Sequence, residues 1–416
     1  MKENTNKPKQ DNLKPKAFYR KVFAGILGLF FLSGISLRNE YNQQSTQFSP
    51  VRTEKHSMIT VYNIQQQKKR LHAVTQDNIQ GVLEKIALEE GFYDYRTREE
   101  VTPNARILYI SEKKKHGFIP IFGLHGLANH LRISITSEKF EAWLKYMVKN
   151  NYYFINDEQL LQGDFTRVPN NKKICLAGAD DATVNQFTYV IQGDKKQIKS
   201  DSMVALLEKY LQREQGKINF TFYISHSTEP FLQKDFTREK LHYLADNFHI
   251  GNHTYNHWMT RNLSPRDFLD DITRAFEYFE QQIGNKVFQI KTLAYPYGIL
   301  DKADIFSDAL EHYSYKGHKL LGAFDYDGNF TPSPFSEKFQ KWDIQRLALD
   351  NYTSNFITQW LETTEIYTSK RAVVIITPKE IIAPKIKTAF PELIIGNDEP
   401  VYLIVTNKPD LEKSLE

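Results

Sequence analysis

From about residue 116 onward, apolar strand-like runs alternate with amphipathic helical stretches, and this pattern limits the fold more than any other feature of the chain. Helical stretches are predicted at 137–151, 201–215, 237–247 and 264–284. Strand–helix alternation of this length is typical of an α/β fold with parallel strands, and seven or so strands suit a barrel. The predicted strands are FIPIFGL (118–124), KKICLAGA (172–179), NFTFYIS (219–225), FHIGN (248–252), QIKTLAYPYG (289–298), LLGAFDY (320–326), WDIQRLAL (342–349), RAVVIIT (371–377) and VYLIVTN (401–407).

The basic charge of the chain is concentrated at its N-terminus. The formal net charge is +4, but residues 1–21 hold seven Lys and Arg against two acidic residues, so the remainder is close to neutral. Residues 1–16 are interpreted as a basic cytoplasmic tail. No compact basic and aromatic motif occurs elsewhere, so the sequence predicts no nucleic-acid partner.

An apolar segment follows this tail. It comprises Ala17, Phe18 and Tyr19 and then VFAGILGLFFLSGISL (22–37). Residues 17–37 are about long enough to cross a bilayer, and the preceding lysines orient the N-terminus towards the cytoplasm. A cleaved signal peptide and a buried soluble helix are the alternatives. Because no small-x-small cleavage site follows, we expect an uncleaved single-pass anchor in the cell membrane, with the rest of the chain extracellular.

The remaining sequence divides by composition. Residues 38–56 are polar and are interpreted as a linker, and residues 57–115 mix strand-like and helical stretches that predict a small membrane-proximal α/β region. Residues 116–408 form the predicted main domain. The single cysteine, Cys175, excludes an internal disulfide and a multi-cysteine zinc site, which is compatible with a Gram-positive cell surface.

Polar side chains follow several predicted strands at the point where each strand ends. In α/β barrels the reactive residues lie at these carboxyl ends. The positions are His125 after FIPIFGL, Asp180 and Asp181 after KKICLAGA, His253 and His257 after FHIGN, and Tyr297 at the end of KTLAYPY.

Three of these residues form a candidate metal-binding set. His253 and His257 are four residues apart and would share a face if the segment were one turn of helix. Two imidazoles and the carboxylate of Asp181 leave open coordination positions, as in hydrolytic zinc sites, although other divalent metals tolerate the same ligands. Asp180, next to a ligand, could take a proton from water. The alternative is a solvated Asp–Asp pair in a loop.

These segments resemble the polysaccharide deacetylase family, the NodB-homology carbohydrate esterases, over roughly residues 118–407. GADDA (178–182) resembles the family's TFDDG motif, HTYNH (253–257) its HSxxH motif and AYPYG (294–298) its RxPYG motif. FHIGNHTYNH also resembles the family phrase HEIGNHTxxH. The resemblance implies a distorted (β/α)7-type barrel and hydrolysis of an N-acetyl amide on a sugar.

The resemblance also implies roles for individual residues. Asp180 would be the general base, and the backbone N–H of Tyr297 would help to form the oxyanion site. The metal ligands would be Asp181, His253 and His257, with Zn²⁺ as the expected ion.

The chain departs from the common family pattern at two points. Ala294 occupies the position of the usual arginine, and the late LxH motif that supplies the acid is absent after RAVVIIT. A permuted branch, which includes poly-N-acetylglucosamine deacetylases and streptococcal deacetylases of the wall-polysaccharide linkage, carries that histidine on its first strand. By this resemblance His125 is the acid, and Arg346 orients Asp180.

The expected function is metal-dependent N-deacetylation of N-acetylglucosamine residues in peptidoglycan, a wall polysaccharide or poly-N-acetylglucosamine. The departures from the pattern leave two alternatives open. One is a catalytically silent carbohydrate-binding protein, and the other is a structural surface protein that keeps only the scaffold.

Overall fold

A computed structural model describes residues 92, 94–101, 106–129, 133–299, 303–377 and 401–406. Its strands are β1 (Tyr95–Val101), β2 (Arg106–Glu112), β3 (Phe118–Ile119), β4 (Ile121–Leu124), β5 (Tyr152–Phe154), β6 (Lys173–Ala179), β7 (Tyr189–Gln192), β8 (Lys195–Ile198), β9 (Arg213–Glu214), β10 (Lys217–Ile218), β11 (Thr221–Ile224), β12 (His249–Asn252), β13 (Thr292–Ala294), β14 (Gly322–Phe324), β15 (Thr331–Pro332), β16 (Leu347–Ala348), β17 (Arg371–Thr377) and β18 (Val401–Thr406).

The α-helices separate the strands much as the sequence predicts. They are α1 (Ser137–Lys149), α2 (Asp157–Gln162), α3 (Met203–Tyr210), α4 (Thr237–Asn247), α5 (Pro265–Ile283), α6 (Ala303–His312) and α7 (Ile357–Thr363). Short 3-10 helices lie at Pro230–Leu232, Lys234–Phe236, Thr260–Asn262, Gly284–Gln289 and Thr353–Asn355.

An eight-stranded sheet forms the centre of the fold. Its strand order is β14-β13-β12-β11-β6-β4-β16, with β5 pairing with the first half of β6, and its neighbouring strands are paired in parallel. A further parallel bridge joins Phe324 of β14 to Ile344, three residues before β16 begins, so hydrogen bonding continues from one end of the strand order towards the other. The prediction of parallel strands alternating with helices is confirmed.

Local signals explain why the longest helix begins and ends where it does. Ser264 caps α5 through a hydrogen bond from the Asp267 N–H, and Pro265 occupies the first helical position. The helix ends at Gly284, which adopts a positive φ. Phe268, Ile272, Ala275, Phe276 and Phe279 form its buried face. This spacing of three and four residues directs one stripe of the helix onto the core.

The helix predicted over 201–215 is shorter in the structure. It ends at Tyr210, and Arg213–Glu214 pairs instead with Lys217–Ile218 in a small antiparallel hairpin. Gln215 and Gly216 form the turn and both have positive φ, a conformation that interrupts a helix. The prediction of a continuous helix there was therefore wrong at its C-terminal end.

Two late predicted strands belong to a different sheet. β17 and β18 are strands, but they pair antiparallel with each other, and β17 also pairs antiparallel with β2 in a four-stranded sheet of order β1-β2-β17-β18. They therefore lie outside the parallel sheet in which the sequence pattern placed them. Only four residues separate β1 from β2, a connection that permits antiparallel but not parallel pairing. The boundary predicted at residue 116 stays a prediction.

Glycines in the parallel strands make room for two tyrosine rings. A Cβ on Gly123 would lie 2.6 Å from the ring of Tyr326, and one on Gly178 would lie 2.8 Å from the ring of Tyr223. Gly251 is packed against the same Tyr223 ring. Because both rings flank the guanidinium of Arg346, these glycines help to build the centre of the candidate site.

The described residues contain no helix that is both long enough and apolar enough to cross a membrane. The predicted tail, anchor and linker, residues 1–56, lie outside the described residues, as does most of the region 57–115. Within that region the RILYIS run is confirmed as a strand, β2.

Candidate active site

The structure brings the carboxylate of Asp181 and the rings of His253 and His257 together. Oδ1 of Asp181 lies 3.4 Å from Nε2 of His253 and 3.0 Å from Nε2 of His257. One ligand atom from each of the three residues lies within 4.8 Å of the others. The His253 side chain is 2% exposed, whereas those of Asp181 and His257 are 26% and 17% exposed. The cluster is therefore closed on one side and open to solvent on the other.

The donor atoms of this cluster fit a divalent cation. Nδ1 of His253 donates a hydrogen bond to the carbonyl oxygen of Ala294, 2.8 Å away. When the ring is neutral, the lone pair of Nε2 therefore faces Asp181. Oδ1 of Asp181 is buried and has no hydrogen-bond partner among the described residues. Two imidazole nitrogens and an unpartnered carboxylate oxygen that converge in this way could hold a divalent metal ion.

The surrounding charges favour a cation at the same point. Burial alone would lower the pKa of His253, but Asp180 and Asp181 outweigh burial and raise it. Burial would raise the pKa of Asp181, yet the contacts with His253 and His257 lower it well below its usual range. The raised pKa of His253 shows that the two carboxylates favour a positive charge at its ring, and the lowered pKa of Asp181 shows that its carboxylate is stabilised in the ionised form.

A loop, rather than a helical turn, places the two histidines together. Residues 253–257 form no helix, and Thr254 and His257 have φ values of 59° and 55°. Thr254 fixes this loop because its Oγ1 accepts a hydrogen bond from the His257 N–H at 3.2 Å. The helical arrangement considered from the sequence spacing was wrong, but the histidines meet because the loop is folded back on itself.

A buried carboxylate on α5 holds the same loop from behind. Asp271 accepts hydrogen bonds from the backbone N–H and the side-chain amide of Asn256, and its carbonyl oxygen accepts from the Tyr255 N–H. Asp271 is 2% exposed. Sequence analysis missed this residue. The sequence does contain a signal for it, because Asp271 lies three residues after Phe268 and four before Ala275, on the apolar face of a predicted helix.

Asp180 forms a buried, bidentate ion pair with Arg346. The two N–H···O distances are 2.7 and 2.8 Å, and both side chains are almost completely buried. Burial raises the pKa of Asp180, but Arg346 and then His253 outweigh it, so the net pKa is lowered. Asp180 is therefore an ionised carboxylate in an interior position, held in one orientation by the planar guanidinium.

The structure also fixes the orientation of Arg346. Its Nε donates to the carbonyl oxygen of Asp325 at 2.9 Å. The rings of Tyr223 and Tyr326 each lie with their centroids 5.4 Å from the guanidinium carbon. The Tyr223 hydroxyl donates to the buried carboxylate of Asp157 at 2.8 Å. Arg346 thus reaches Asp180 from a segment far away in sequence.

His125 lies beside this ion pair and the cluster of Asp181, His253 and His257. Its ring packs edge-on against Tyr326 with centroids 5.0 Å apart, and its Nδ1 is buried without a hydrogen-bond partner among the described residues. Burial lowers the pKa of His125, whereas the charges of Asp180 and Asp181 act in the opposite direction. Free of substrate, His125 is therefore mainly neutral at pH 7, and a role as proton donor requires that it gain a proton in the substrate complex.

The peptide bond that carries the Tyr297 N–H is held by Thr260. The carbonyl oxygen of Pro296, on the same peptide, accepts hydrogen bonds from the Oγ1 of Thr260 at 3.1 Å and from its N–H at 3.4 Å. A trans peptide directs its N–H away from its carbonyl, so Thr260 determines where the Tyr297 N–H points. Tyr297 has a φ of 59°, and its ring lies 4.9 Å from that of His257.

The candidate residues therefore converge, and their individual roles stay predictions. Asp181, Tyr297 and His257 all have left-handed backbone conformations at the edge of the sheet. Such conformations cost free energy in residues other than glycine, and they are concentrated at functional sites. Thr260, Asp271 and Tyr326 were not found from the sequence, since each acts on another residue and carries no motif of its own.

Comparison with known proteins identifies part of the chain. Residues 201–316 match the family model "Polysaccharide deacetylase". The match covers less than half of the chain but includes both histidines and the AYPYG segment. No curated protein sequence matches significantly.

Several solved structures show distant similarity. The Streptococcus pyogenes deacetylase PplD in complex with acetate is 15% identical, with 60% of this chain and 99% of that chain covered and a TM-score of 0.44. IcaB from Ammonifex degensii is 15% identical, with 60% and 99% covered and a TM-score of 0.43. The BpsB deacetylase domain from Bordetella bronchiseptica is 11% identical, with 56% and 96% covered and a TM-score of 0.38.

Similarity at these scores carries no weight alone, so the assignment rests on the match over residues 201–316 and on the motifs that the sequence presents. Residues 201–316 belong to a polysaccharide deacetylase domain.

Proposed function

We propose that this protein hydrolyses the acetamide of N-acetylglucosamine residues in a cell-surface or cell-wall polysaccharide, on a distorted (β/α)7-type barrel of the NodB-homology type. One observation supports this most directly. The cluster of Asp181, His253 and His257 lies next to an ionised, oriented carboxylate, Asp180, whose partner is Arg346. A cation site and an aligned proton acceptor at the same sheet edge are the two elements that amide hydrolysis by water requires.

We propose Zn²⁺ as the ion held by Asp181, His253 and His257, where it would polarise the acetyl carbonyl and make water more acidic. The other groups of the site belong to the chain itself. Asp180 takes a proton from the attacking water as the new C–O bond forms. The Tyr297 N–H donates to the carbonyl oxygen as negative charge develops on it.

The second half of the reaction breaks the C–N bond. His125, protonated in the substrate complex, donates to the departing nitrogen, so the products are acetate and a free amine on the sugar. The carboxylate of Asp180 remains ionised before the reaction because Arg346 stabilises its charge. The negative charges of Asp180 and Asp181 favour the protonated form of His125.

We further propose that residues 17–37 anchor the protein in the cell membrane and that the deacetylase domain faces the wall outside the cell. The basic residues before the apolar run and the polar linker after it support this arrangement. The substrate would then be a polymer within reach of the membrane surface.

The full chain, supplied with Zn²⁺, is expected to release acetate from one of three polymers: peptidoglycan, a wall polysaccharide or poly-N-acetylglucosamine. Acetate is quantified enzymatically, and mass spectrometry of the recovered glycan locates the sugar that has lost an acetyl group. Binding to all three polymers without acetate release would instead support a catalytically silent carbohydrate-binding protein.

Replacing Thr260 with valine should lower kcat by about 10-fold, a fraction of the 10²–10³-fold lost when an oxyanion donor is removed completely. Valine matches threonine in shape but leaves the Pro296 carbonyl with only the weaker backbone hydrogen bond, so the Tyr297 N–H is less well oriented. KM and zinc affinity should remain unchanged, and Thr260→Ser should restore kcat. A valine variant with altered KM and normal kcat would contradict this role.

A further inference from the structure

The paired register of β4 and β6 ends one residue before the proposed proton donor and proton acceptor. The last register pair is Leu124 with Ala179, and the N–H of Asp180 donates to the carbonyl of Leu124 at 2.8 Å. His125 and Asp180 are the next residues of the two chains. The sheet alone therefore does not fix how far apart their backbones lie.

A glutamine side chain connects the two chains at this point. Nε2 of Gln186 donates to the carbonyl oxygen of His125 at 2.5 Å and to the carbonyl oxygen of Asp180 at 2.6 Å. An amide nitrogen carries two hydrogens, so each carbonyl receives one of them. Gln186 is completely buried, so water does not compete for these bonds. We call this pair of hydrogen bonds the Gln186 bridge.

The backbone of Gln186 is itself held on both sides. Its N–H donates to the carbonyl of Thr183 at 3.1 Å, which closes a tight turn after β6. Its carbonyl accepts from the N–H of Val204 at 3.0 Å, in the first turn of α3. The side chain therefore extends from a fixed point, and the bridge transmits that position to both strand ends.

The other end of the same amide has no partner. Oε1 of Gln186 is buried without a hydrogen bond from any described residue. The amide cannot be turned round, because both atoms that Nε2 contacts are carbonyl oxygens, which accept but do not donate. Burying an unpaired carbonyl oxygen costs free energy, which an apolar side chain of similar size would avoid. The value of glutamine at this position therefore lies in its two N–H donors.

We infer, on the basis of the proposed function, that Gln186 is a positioning residue that sets the separation of His125 and Asp180. Arg346 orients the carboxylate of Asp180, and Tyr326 packs against the ring of His125, but both contacts act on side chains. The Gln186 bridge acts on the backbones from which these side chains start. Two groups that transfer protons at one reacting carbon must keep a fixed separation, and a displacement of about 1 Å can cost about 100-fold in rate.

Replacing Gln186 with methionine removes both donors and keeps an unbranched side chain of similar length. In the full chain, kcat for acetate release from a soluble hexamer of N-acetylglucosamine should fall at least about 10-fold per zinc-loaded protein, with KM and zinc affinity unchanged. Asn185→Leu is the matched control, because the neighbouring amide donates to the carbonyl of Leu127 instead, and its kcat should be unchanged. Thr183→Val removes only a 3.1 Å hydrogen bond to the His125 carbonyl, so its kcat should fall between the two.

Hydrogen exchange separates this inference from the proposed reaction. The N–H of Asp180 makes the hydrogen bond next to the bridge, so its exchange, followed by mass spectrometry, should be at least about 10-fold faster in Gln186→Met and unchanged in Asn185→Leu. Thr183→Val provides the same comparison with a smaller change if the methionine variant does not fold. Faster exchange in a protein that releases no acetate would support the bridge and overturn the reaction. Equal exchange in all variants, normal kcat in Gln186→Met, or an equal loss of kcat in Asn185→Leu would overturn the bridge.

Discussion

Asparagine in place of Asp180 should lower kcat by about 1000-fold, within the range typical for loss of a positioned general base. The amide cannot accept the proton of the attacking water. Zinc should still bind with normal affinity, because Asp181, His253 and His257 are unchanged. The measurements are acetate release under saturating substrate and zinc content after dialysis. A variant that keeps a tenth or more of the activity would contradict the assignment of Asp180 as the base.

This variant also disturbs stability, and the structure provides the means to separate the two effects. Asparagine presents an N–H₂ group to the N–H groups of Arg346, so the buried guanidinium loses its counter-charge at a cost of about 3–5 kcal/mol. Combining Asp180→Asn with Arg346→Met removes the unpaired charge and should restore most of that stability, measured by denaturant unfolding. Activity should remain lost in the double variant, because the missing proton acceptor, not unfolding, causes the loss.

Local patterns explain which parts of the fold the sequence predicts well. The strand ends that carry His125, Asp180, Asp181 and His253 follow short apolar runs, and their convergence follows from the rule that parallel strands present one edge. The start of α5 at Ser264 and Pro265 depends only on neighbouring residues. Such features do not depend on distant contacts, so they can be predicted from a single sequence.

Pairing between distant segments explains most of what the sequence did not predict. β17 is an apolar strand by composition, but nothing in its residues indicates that it pairs with β2 rather than with the parallel sheet. The position of Thr260 against Pro296 depends in the same way on how two loops meet. The link between Arg346 and Asp180 was predicted only through a family resemblance, since 166 positions separate the two residues.

The loop at His253–His257 illustrates a different limit. Spacing of four residues is equally compatible with a helical turn and with a loop folded by side-chain hydrogen bonds. The decisive contacts come from Thr254, within the motif, and from Asp271, on the following helix. The candidate ligands could be proposed from the sequence because two imidazoles and a carboxylate are typical metal donors, whereas the backbone conformation that joins them could not be predicted from their spacing.

Glutamine in place of His253 should abolish acetate release and weaken zinc binding by more than about 100-fold. The expected loss exceeds the 10–100-fold typical for removal of a group that only orients a ligand, because His253 itself supplies a donor atom. Its Nε2 lies 3.4 Å from Asp181, and its Nδ1 is held by the Ala294 carbonyl, so no other side chain can take its place. Zinc affinity is measured by competition with a chromogenic chelator.

Two further variants show whether the loss is specific to a ligand. His226→Gln removes a partly buried histidine at the end of the neighbouring strand β11, where the ring packs against Tyr255 and Tyr278 and burial lowers its pKa to about 3. Zinc affinity should be unchanged in this variant. Asp271→Asn weakens the support of the histidine loop, so its zinc affinity should fall between those of the other two. If the three variants bound zinc equally well, the cation that activates the protein would have to lie outside the cluster of Asp181, His253 and His257, and the roles inferred for Asp180 and His125 would lose their common centre.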